Sequence, residues 1–227
     1  MLPYHDHSGP TVEARLLDRA TRESVALVSD AGTPLISDPG YALVREARAR
    51  GIPVTTAPGP SAAIAALSIS GLPSDRFLFA GFLPAKAVAR EKAIAAVAGI
   101  PATLIFYETG PRLAASLAAL TAVLGPREAV VARELTKRHE ELATGLLPDL
   151  ASRYAGEEPK GEIVLLIGPP GEEVSGEEAL DEALRTALRT MPPGKAAASV
   201  SAALGLPRGD VYARAMALKD GPLKVEA

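Results

Sequence analysis

The chain has 227 residues, 48% of them hydrophobic, and a formal net charge of −3. It contains no cysteine, which excludes disulfides, thiolate metal sites and cysteine nucleophiles. No apolar run is long enough to span a membrane, and the start lacks the pattern of a signal peptide. We therefore expect a cytoplasmic protein without a membrane segment. The acidic balance and the aromatic content of 4% disfavour a strongly basic nucleic-acid surface or a base-stacking platform.

The first strand–turn–helix pattern contains the most distinctive motif, VSDAGTPLISDPG at residues 28–40. Residues 25–29 predict a strand, Asp38–Pro39 predicts the start of a helix, and Gly51 predicts its end. A glycine-containing turn after a strand lets a ligand approach the backbone, and Asp30 offers a carboxylate to a ribose or an amino group. The alternative is an ordinary turn with a capped helix. The motif is neither a P-loop nor GxGxxG.

A second pattern of the same kind follows at once. Residues 52–56 predict a strand, and the motif APGPSAAIAAL at residues 57–67 predicts a rigid turn leading into an apolar helix. Ser61 is in the N-cap position, and Gly71 predicts the helix end. The N-terminus of such a helix attracts anions or carbonyl oxygens. The alternative is a capped helix without a ligand.

Apolar strands and helices also alternate through the middle of the chain. The pattern predicts α/β architecture with mainly parallel sheets, although antiparallel pairs in the second sheet stay open. Two strands end in a glutamate, Glu108 in FYETGPR and Glu134 in ARELTKRHEE, at a position where ligands collect in open sheets. The alternative for each is a solvated charged loop. The predicted strands are 77–82, 102–108, 128–134 and 162–168, and the helices are 86–97, one from about 111, and 147–154.

The last part of the chain differs in composition. Residues 169–178 (PPGEEVSGEE) predict an acidic linker, and the segments 196–204 and 210–218 predict a helix–turn–helix. Near the start, His5 and His7 have the spacing of a metal-binding pair on an extended chain. No third ligand is evident, so we predict no metal site.

Six segments in this order resemble the family of bacterial methyltransferases that 2′-O-methylate a cytidine of small-subunit ribosomal RNA. They are VSDAGTPLISDPG, APGPSA, GFLPAK, FYETGPR, ARELTK and GEIVLLIG, and YHDHS and the helical tail are similar too. The resemblance implies the tetrapyrrole methylase fold, with two α/β domains, a helical appendix and a methyl donor in the cleft between the domains. It also implies a homodimer that acts on ribosomal RNA in the assembled 30S subunit. The expected domains are residues 1–74, 75–169 and 170–227.

The resemblance also assigns a site. The implied donor is S-adenosylmethionine, and no metal is implied. Transfer to a ribose hydroxyl needs close positioning or a base, for which Glu108 and Glu134 are the candidates. Basic residues near the cleft would neutralise phosphates. The residues expected to face the donor are Asp30, Ala31, Gly32, Thr33, Ser61 and Ala62, with Tyr107 and Leu135 on the adenosine side; the expected phosphate contacts are Lys86, Arg112, Arg133 and Lys137.

The chain departs from the family pattern at its start. Members normally begin earlier, with a strand, an ATPIGN-like loop, a helix and an EDTR-like segment, and this sequence has none of them. A sheet without that strand would leave backbone unpaired and apolar faces exposed. A misassigned start, a truncated chain and a natural short form all stay open. So do two other functions, a methyltransferase of precorrin or other tetrapyrroles and an inactive cofactor-binding form, and the tail's role in gripping RNA or supporting the dimer.

Overall fold

The computed structural model describes residues 2–5, 8–171 and 176–220 of the chain. The chain divides into two compact units, residues 1–170 and residues 171–227. In chain order, the elements of the first unit are α1 (Pro10–Ala20), α2 (Tyr41–Ala49), α3 (Ala62–Ser70), β1 (Phe77–Phe82), α4 (Ala87–Val97), β2 (Thr103–Thr109), α5 (Gly110–Leu124), β3 (Glu128–Arg133), β4 (Glu141–Leu146), α6 (Leu147–Arg153) and β5 (Glu162–Ile167).

The five strands form one sheet in the order β1-β2-β5-β3-β4. Only β1 and β2 pair in parallel; β2–β5, β5–β3 and β3–β4 are antiparallel. The α/β class is confirmed, but the prediction of a mainly parallel sheet is wrong for this sheet. Strand β4 escaped prediction because Thr144 and Gly145 interrupt its apolar pattern. Strand β4 pairs with β3 as an antiparallel hairpin, and β5 lies between β2 and β3, antiparallel to both.

The two faces of the sheet are covered by different helices. Successive side chains of a strand point to opposite faces. Leu104 and Phe106 of β2 therefore join one buried cluster, and Ile105 and Tyr107 join the other. The first cluster contains side chains of α4, α5 and α6, whereas the second contains those of α3. Among the described helices of the first unit, α3 supplies the side chains that cover this face, and Ala66 is completely buried.

The first third of the chain corrects two predicted strands. Residues 25–29 and 52–56 form neither strand nor helix in the structure. A strand needs a neighbour for its backbone groups, and neither segment has a cross-strand hydrogen bond among the described residues. Val28 is 68% exposed and Val54 is 41% exposed. These apolar segments therefore lack the burial that the sequence pattern predicted.

The helix boundaries of this region agree only in part with prediction. Helix α2 begins at Tyr41 with Gly40 as its N-cap, so the predicted start at Asp38–Pro39 is wrong. The N-cap position requires glycine, because a Cβ on Gly40 would approach Leu27 Cδ2 to 2.7 Å and its φ of 132° is unfavourable for other residues. Ser61 occupies the predicted N-cap position of α3, although its side chain makes no capping hydrogen bond. The predicted helix end at Gly71 is confirmed, with φ of 76°.

The second unit consists of three described helices, α7 (Gly176–Leu188), α8 (Pro193–Leu204) and α9 (Arg208–Asp220). The predicted helix–turn–helix is confirmed in α8 and α9, and Gly205 between them has a left-handed φ of 67°. The acidic linker was predicted to end at residue 178, but α7 begins two residues earlier; residues 172–175 lie outside the described chain. Among the described helices, none is long and apolar enough to cross a membrane.

Candidate cofactor site and its surroundings

Two turns of the predicted donor site lie against each other. We name residues 30–33 the first turn and residues 57–61 the second turn. The Thr33 hydroxyl donates a hydrogen bond to the carbonyl oxygen of Pro60 across 3.3 Å. In the described chain, no backbone–backbone hydrogen bond involves residues 30–32 or 54–60. Side-chain hydroxyls bind the carbonyls of Ala31, Gly32, Ala57 and Pro60. Among the described residues, the N–H groups of residues 30–32, Ala57 and Gly59 have no hydrogen-bond partner and can bind a ligand.

Tyr107 connects the start of α3 to the sheet. Its hydroxyl accepts a hydrogen bond of 3.3 Å from the backbone N–H of Ala63, near the N-terminus of α3. Its ring makes edge-on contacts with Phe79 at 4.7 Å and Phe82 at 5.8 Å between ring centroids. Leu135 packs against the same buried cluster. The predicted residues Ser61, Ala62, Tyr107 and Leu135 are thus on one side of the sheet, around the start of α3.

Backbone in the left-handed region is concentrated in two motifs. Among the described non-glycine residues, positive φ angles occur at Leu35 (73°) and Ser37 (59°) in VSDAGTPLISDPG, and at Glu134 (49°) and Thr136 (64°) in ARELTK. Such conformations are unfavourable for residues with a Cβ and cluster at functional sites in proteins. Their location therefore agrees with the assignment of both motifs to a site.

Glu108 faces the opposite side of the sheet from Tyr107. Its side chain is 0% exposed and forms an ion pair with Arg112, with Nε and Oε1 at 3.2 Å. The Thr109 N–H donates to Oε1 at 2.9 Å, and the Ser116 hydroxyl donates to Oε2 at 2.5 Å. Arg112 also donates to the Leu83 carbonyl. These contacts place the predicted base and one predicted phosphate contact in a buried structural cluster.

Glu134 holds the loop between β3 and β4. It accepts hydrogen bonds from Lys137 Nζ at 2.8 Å and from the Glu162 N–H at 3.0 Å. The Lys137 hydrogen bond, helped by the Glu162 N–H, holds the pKa of Glu134 below its ordinary value. A Cβ on Gly161 would overlap Cγ and Cδ of Glu134, so the glycine leaves room for this carboxylate. At neutral pH the group is ionised and a weak base.

The remaining predicted phosphate contacts differ in their pairing. Arg133 Nε binds Glu141 Oε2 at 2.9 Å, and Glu141 also accepts a hydrogen bond from Tyr154. Burial opposes ionisation of Glu141, but the hydrogen bonds from Arg133 and Tyr154 outweigh it and lower its pKa. Burial, with Glu141 nearby, raises the pKa of Tyr154 to about 12. Lys86, by contrast, is exposed at the N-cap of α4 and has no ion-pair partner in the described chain.

Comparison with known proteins identifies the family. The family described as Tetrapyrrole (Corrin/Porphyrin) Methylases matches residues 7–151, and the RsmI C-terminal HTH domain matches residues 174–219. A protein of Mesorhizobium japonicum named Ribosomal RNA small subunit methyltransferase I is 48% identical over 223 residues, which are 96% of this chain and 75% of the relative. The chain belongs to the ribosomal RNA small subunit methyltransferase I family.

Further relatives of the same name agree. The Erythrobacter litoralis protein is 55% identical over 176 residues, 78% of this chain and 63% of that protein. The Xylella fastidiosa protein is 46% identical over 217 residues, 93% of this chain and 80% of that protein. Among solved structures, diphthine synthase has a TM-score of 0.53 at 19% identity and covers 70% of this chain and 65% of its own. This likeness concerns the fold alone and confirms the predicted tetrapyrrole methylase fold.

Family membership directs attention to residues that the sequence reasoning missed. Phe79 and Phe82 contact Tyr107, and the carbonyl of Pro60 links the two turns. Strand alternation would assign Phe79 and Phe82 to opposite faces, so it could not predict that both contact Tyr107; the register shift between them brings Phe82 to the Tyr107 ring. The Pro60 carbonyl could not be identified from the sequence, because a backbone group is the same in every residue. Of the histidine pair, the structure describes His5, whereas His7 lies outside the described residues.

Proposed function

We propose that this chain transfers a methyl group from S-adenosylmethionine to the ribose 2′-hydroxyl of a cytidine in small-subunit ribosomal RNA. The observation that carries the proposal is the 48% identity across 96% of the chain with a relative named for ribosomal RNA small subunit methylation. The match of the C-terminal unit to the RsmI C-terminal HTH domain supports it, since that match extends beyond the tetrapyrrole methylase region. The proposal includes a cytoplasmic homodimer and 30S subunits as the substrate particle.

The residues present fit S-adenosylmethionine. In the described chain the two turns offer N–H groups without a hydrogen-bond partner for its polar atoms, and Gly32 has no atom within 4 Å of where a Cβ would lie. Tyr107 and Leu135 offer apolar surface for the adenine. When bound, the donor supplies an electrophilic sulfonium methyl group. We assign its binding to the residues predicted from the sequence: Asp30, Ala31, Gly32, Thr33, Ser61, Ala62, Tyr107 and Leu135.

The attacking hydroxyl needs positioning and loses a proton. Glu108 is buried on the opposite face of the sheet and bonded through both oxygens, which favours a positioning role for it. Glu134 stays the candidate base, with a side chain that is 18% exposed. Its lowered pKa makes it a weak base, so we assign most of the rate enhancement to orientation of the hydroxyl toward the methyl group.

RNA binding is assigned to the basic residues named from the sequence. Lys86 is exposed and has no ion-pair partner among the described residues, and so has the strongest case for a phosphate contact. Arg133 and Lys137 are held by carboxylates but remain partly exposed, at 21% and 47%. Arg112 is 31% exposed. The domain boundaries at residues 74 and 169 remain part of the proposal, with donor and RNA meeting between the two α/β domains.

The proposal is tested by transfer of labelled methyl from S-adenosylmethionine to small ribosomal subunits from a strain that lacks the family's enzyme. Bulk RNA, naked small-subunit RNA and a precorrin are parallel acceptors. We expect label in the subunit RNA and in neither bulk RNA nor precorrin. Methylation of precorrin without methylation of subunits would instead favour a tetrapyrrole substrate. Binding of S-adenosylmethionine without transfer to any acceptor would favour the inactive form.

A further inference from the structure

Glu108 is the only charged side chain among the buried polar residues of the described chain. A buried carboxylate is tolerated only when charge and hydrogen bonds compensate it. Here the Arg112 guanidinium, the Ser116 hydroxyl and the Thr109 N–H provide that compensation. The ion pair with Glu108 therefore holds the Arg112 guanidinium close to the carboxylate, with Nε and Oε1 3.2 Å apart.

Arg112 carries this constraint to the neighbouring strand. Its guanidinium donates a hydrogen bond to the carbonyl of Leu83, the residue that follows β1. The register between β1 and β2 shifts between Phe79 and Phe82, and Gly81 has φ of 67° at this irregularity. The regular ladder is interrupted there, so strand pairing alone holds the end of β1 weakly. The Arg112 contact fastens the chain just beyond the interruption.

The end of β1 contacts the proposed adenosine side of the site. Phe82 immediately precedes Leu83 and contacts the Tyr107 ring edge-on, at 5.8 Å between centroids. The Tyr107 hydroxyl in turn accepts the N–H of Ala63 at the start of α3. A chain of contacts thus runs from Glu108 on one face of the sheet to Tyr107 on the other. Displacement of Phe82 would change the surface that faces the donor.

We propose that Glu108 and Arg112 act together as positioning residues, which fasten the end of β1 and thereby set the position of the Tyr107 ring for binding of the methyl donor. The proposal depends on the proposed function only for the identity of the donor. In this role Glu108 does not contact the reacting atoms. It acts on the Tyr107 ring through Arg112, Leu83 and Phe82. The structural step, from Arg112 to the Tyr107 ring, holds for any ligand of this site.

The test uses the full chain labelled with 3-fluorotyrosine. The chain has five tyrosines, and Tyr107→Phe identifies the Tyr107 fluorine signal. We expect Arg112→Ala to move this signal and to raise the dissociation constant for S-adenosylmethionine about tenfold. Because Arg112 is also assigned to RNA binding, the methyl-transfer assay is run at saturating RNA, where KM for the donor should rise while kcat changes little, as for lost donor binding alone. Glu108→Gln combined with Arg112→Ala should be no worse than Arg112→Ala alone.

Arg127→Ala is the matched control. Arg127 also donates from its guanidinium to a backbone carbonyl, that of Ala98 at 2.6 Å, but it precedes β3 at the other end of the sheet. It should lower stability without moving the Tyr107 signal or the dissociation constant. An unchanged Tyr107 signal in Arg112→Ala, or an equal change in Arg127→Ala, would overturn the proposal.

Two milder variants keep the test decisive if Arg112→Ala does not fold. Arg112→Lys keeps the charge but loses the planar fork, so it cannot serve Glu108 and Leu83 together. Ser116→Ala removes one of the hydrogen bonds to Glu108. Both should shift the Tyr107 signal in the same direction by smaller amounts, and no shift in either would overturn the proposal. If the parent chain binds no S-adenosylmethionine, the proposed function fails, while the fluorine signals still decide the positioning role.

Discussion

The backbone N–H of Ala63 donates a hydrogen bond to the hydroxyl of Tyr107 across 3.3 Å. This contact joins the N-terminus of α3 to the end of β2, and the two residues are 44 positions apart in the sequence. It brings the motif APGPSA beside the motif FYETGPR. The start of α3, where the Ser61 and Ala62 N–H groups have no partner among the described residues, thus lies beside an aromatic ring. This arrangement suits a ligand with a polar end and a flat apolar base.

Tyr107→Phe should keep the ring contacts and remove only the acceptor for the Ala63 N–H. We expect a loss of about 0.5–1.5 kcal/mol in the free energy of unfolding, as is typical for one hydrogen bond. Binding of S-adenosylmethionine should weaken about threefold, measured by calorimetry. Tyr212→Phe, at a side chain that is 47% exposed, is the control and should change neither quantity. Equal effects of the two substitutions would argue against a role for this contact.

Gly161→Ala should destabilise the loop between β3 and β4. The φ of 103° at Gly161 is unfavourable for alanine, and the new Cβ would displace the Glu134 side chain from Lys137 and Glu162. Gly156→Ala has the same backbone problem, at φ of 76°, but no atom within 4 Å of the Cβ. We expect Gly161→Ala to exceed this control by about 1 kcal/mol in urea unfolding.

The additional loss should depend on Glu134. In a Glu134→Ala background the side chain that Gly161 accommodates is gone, so the two glycine substitutions should become similar. If Gly161→Ala still destabilises the chain more than Gly156→Ala in this background, the added Cβ does not act through the Glu134 side chain.

The contribution of Glu134 to stability should fall in acid. Hydrogen bonds from Lys137 and the Glu162 N–H lower its folded pKa below the ordinary value of 4.5. A carboxyl with a lowered folded pKa stabilises the fold above its unfolded pKa, and the contribution is lost as the pH falls through the folded value. The stability difference between the parent chain and Glu134→Gln should therefore be constant near neutral pH and shrink below about pH 4.5. Urea midpoints across this range measure it, and a difference that grows in acid would contradict the assignment.

Asp181→Asn should destabilise the second unit. Both Asp181 oxygens accept hydrogen bonds from Arg214, at 2.6 and 2.7 Å, which joins α7 to α9. Asp181 is 13% exposed and Arg214 is 46% exposed, so solvent weakens the pair, and we expect a loss of about 1 kcal/mol. Arg185→Gln is the control, because Arg185 is 68% exposed and lies 4.0 Å from the same carboxylate. Helix content followed during thermal unfolding should show a loss for Asp181→Asn alone.

The parts of the fold that were predicted correctly have strong local signals. The central strands β2, β3 and β5 are continuous apolar runs with turn residues beside them. Gly71 and Gly205 end helices in the left-handed conformation that glycine adopts most easily. These features depend on near neighbours in the chain, so a single sequence contains enough information for them.

The parts that were predicted wrongly depend on distant partners. Residues 25–29 have the composition of a strand, but composition does not provide a neighbouring strand to pair with. The sequence does contain evidence against direct contact between Glu108 and the donor. Strand alternation alone puts it on the face opposite Tyr107, away from the other predicted donor residues. Its saturation by Thr109, Arg112 and Ser116 could not be read from spacing, because the geometry of the β2–α5 junction sets it.

The most direct measurement is the nucleoside composition of small-subunit RNA after incubation with the chain and S-adenosylmethionine. Subunits from a strain without the family's enzyme would be digested to nucleosides and analysed by mass spectrometry. The proposed function predicts that 2′-O-methylcytidine appears with time and is formed more slowly by Tyr107→Phe at limiting donor. A methyl group on a base, or no methylated nucleoside while the donor binds, would contradict the assignment of this chain as a ribose methyltransferase.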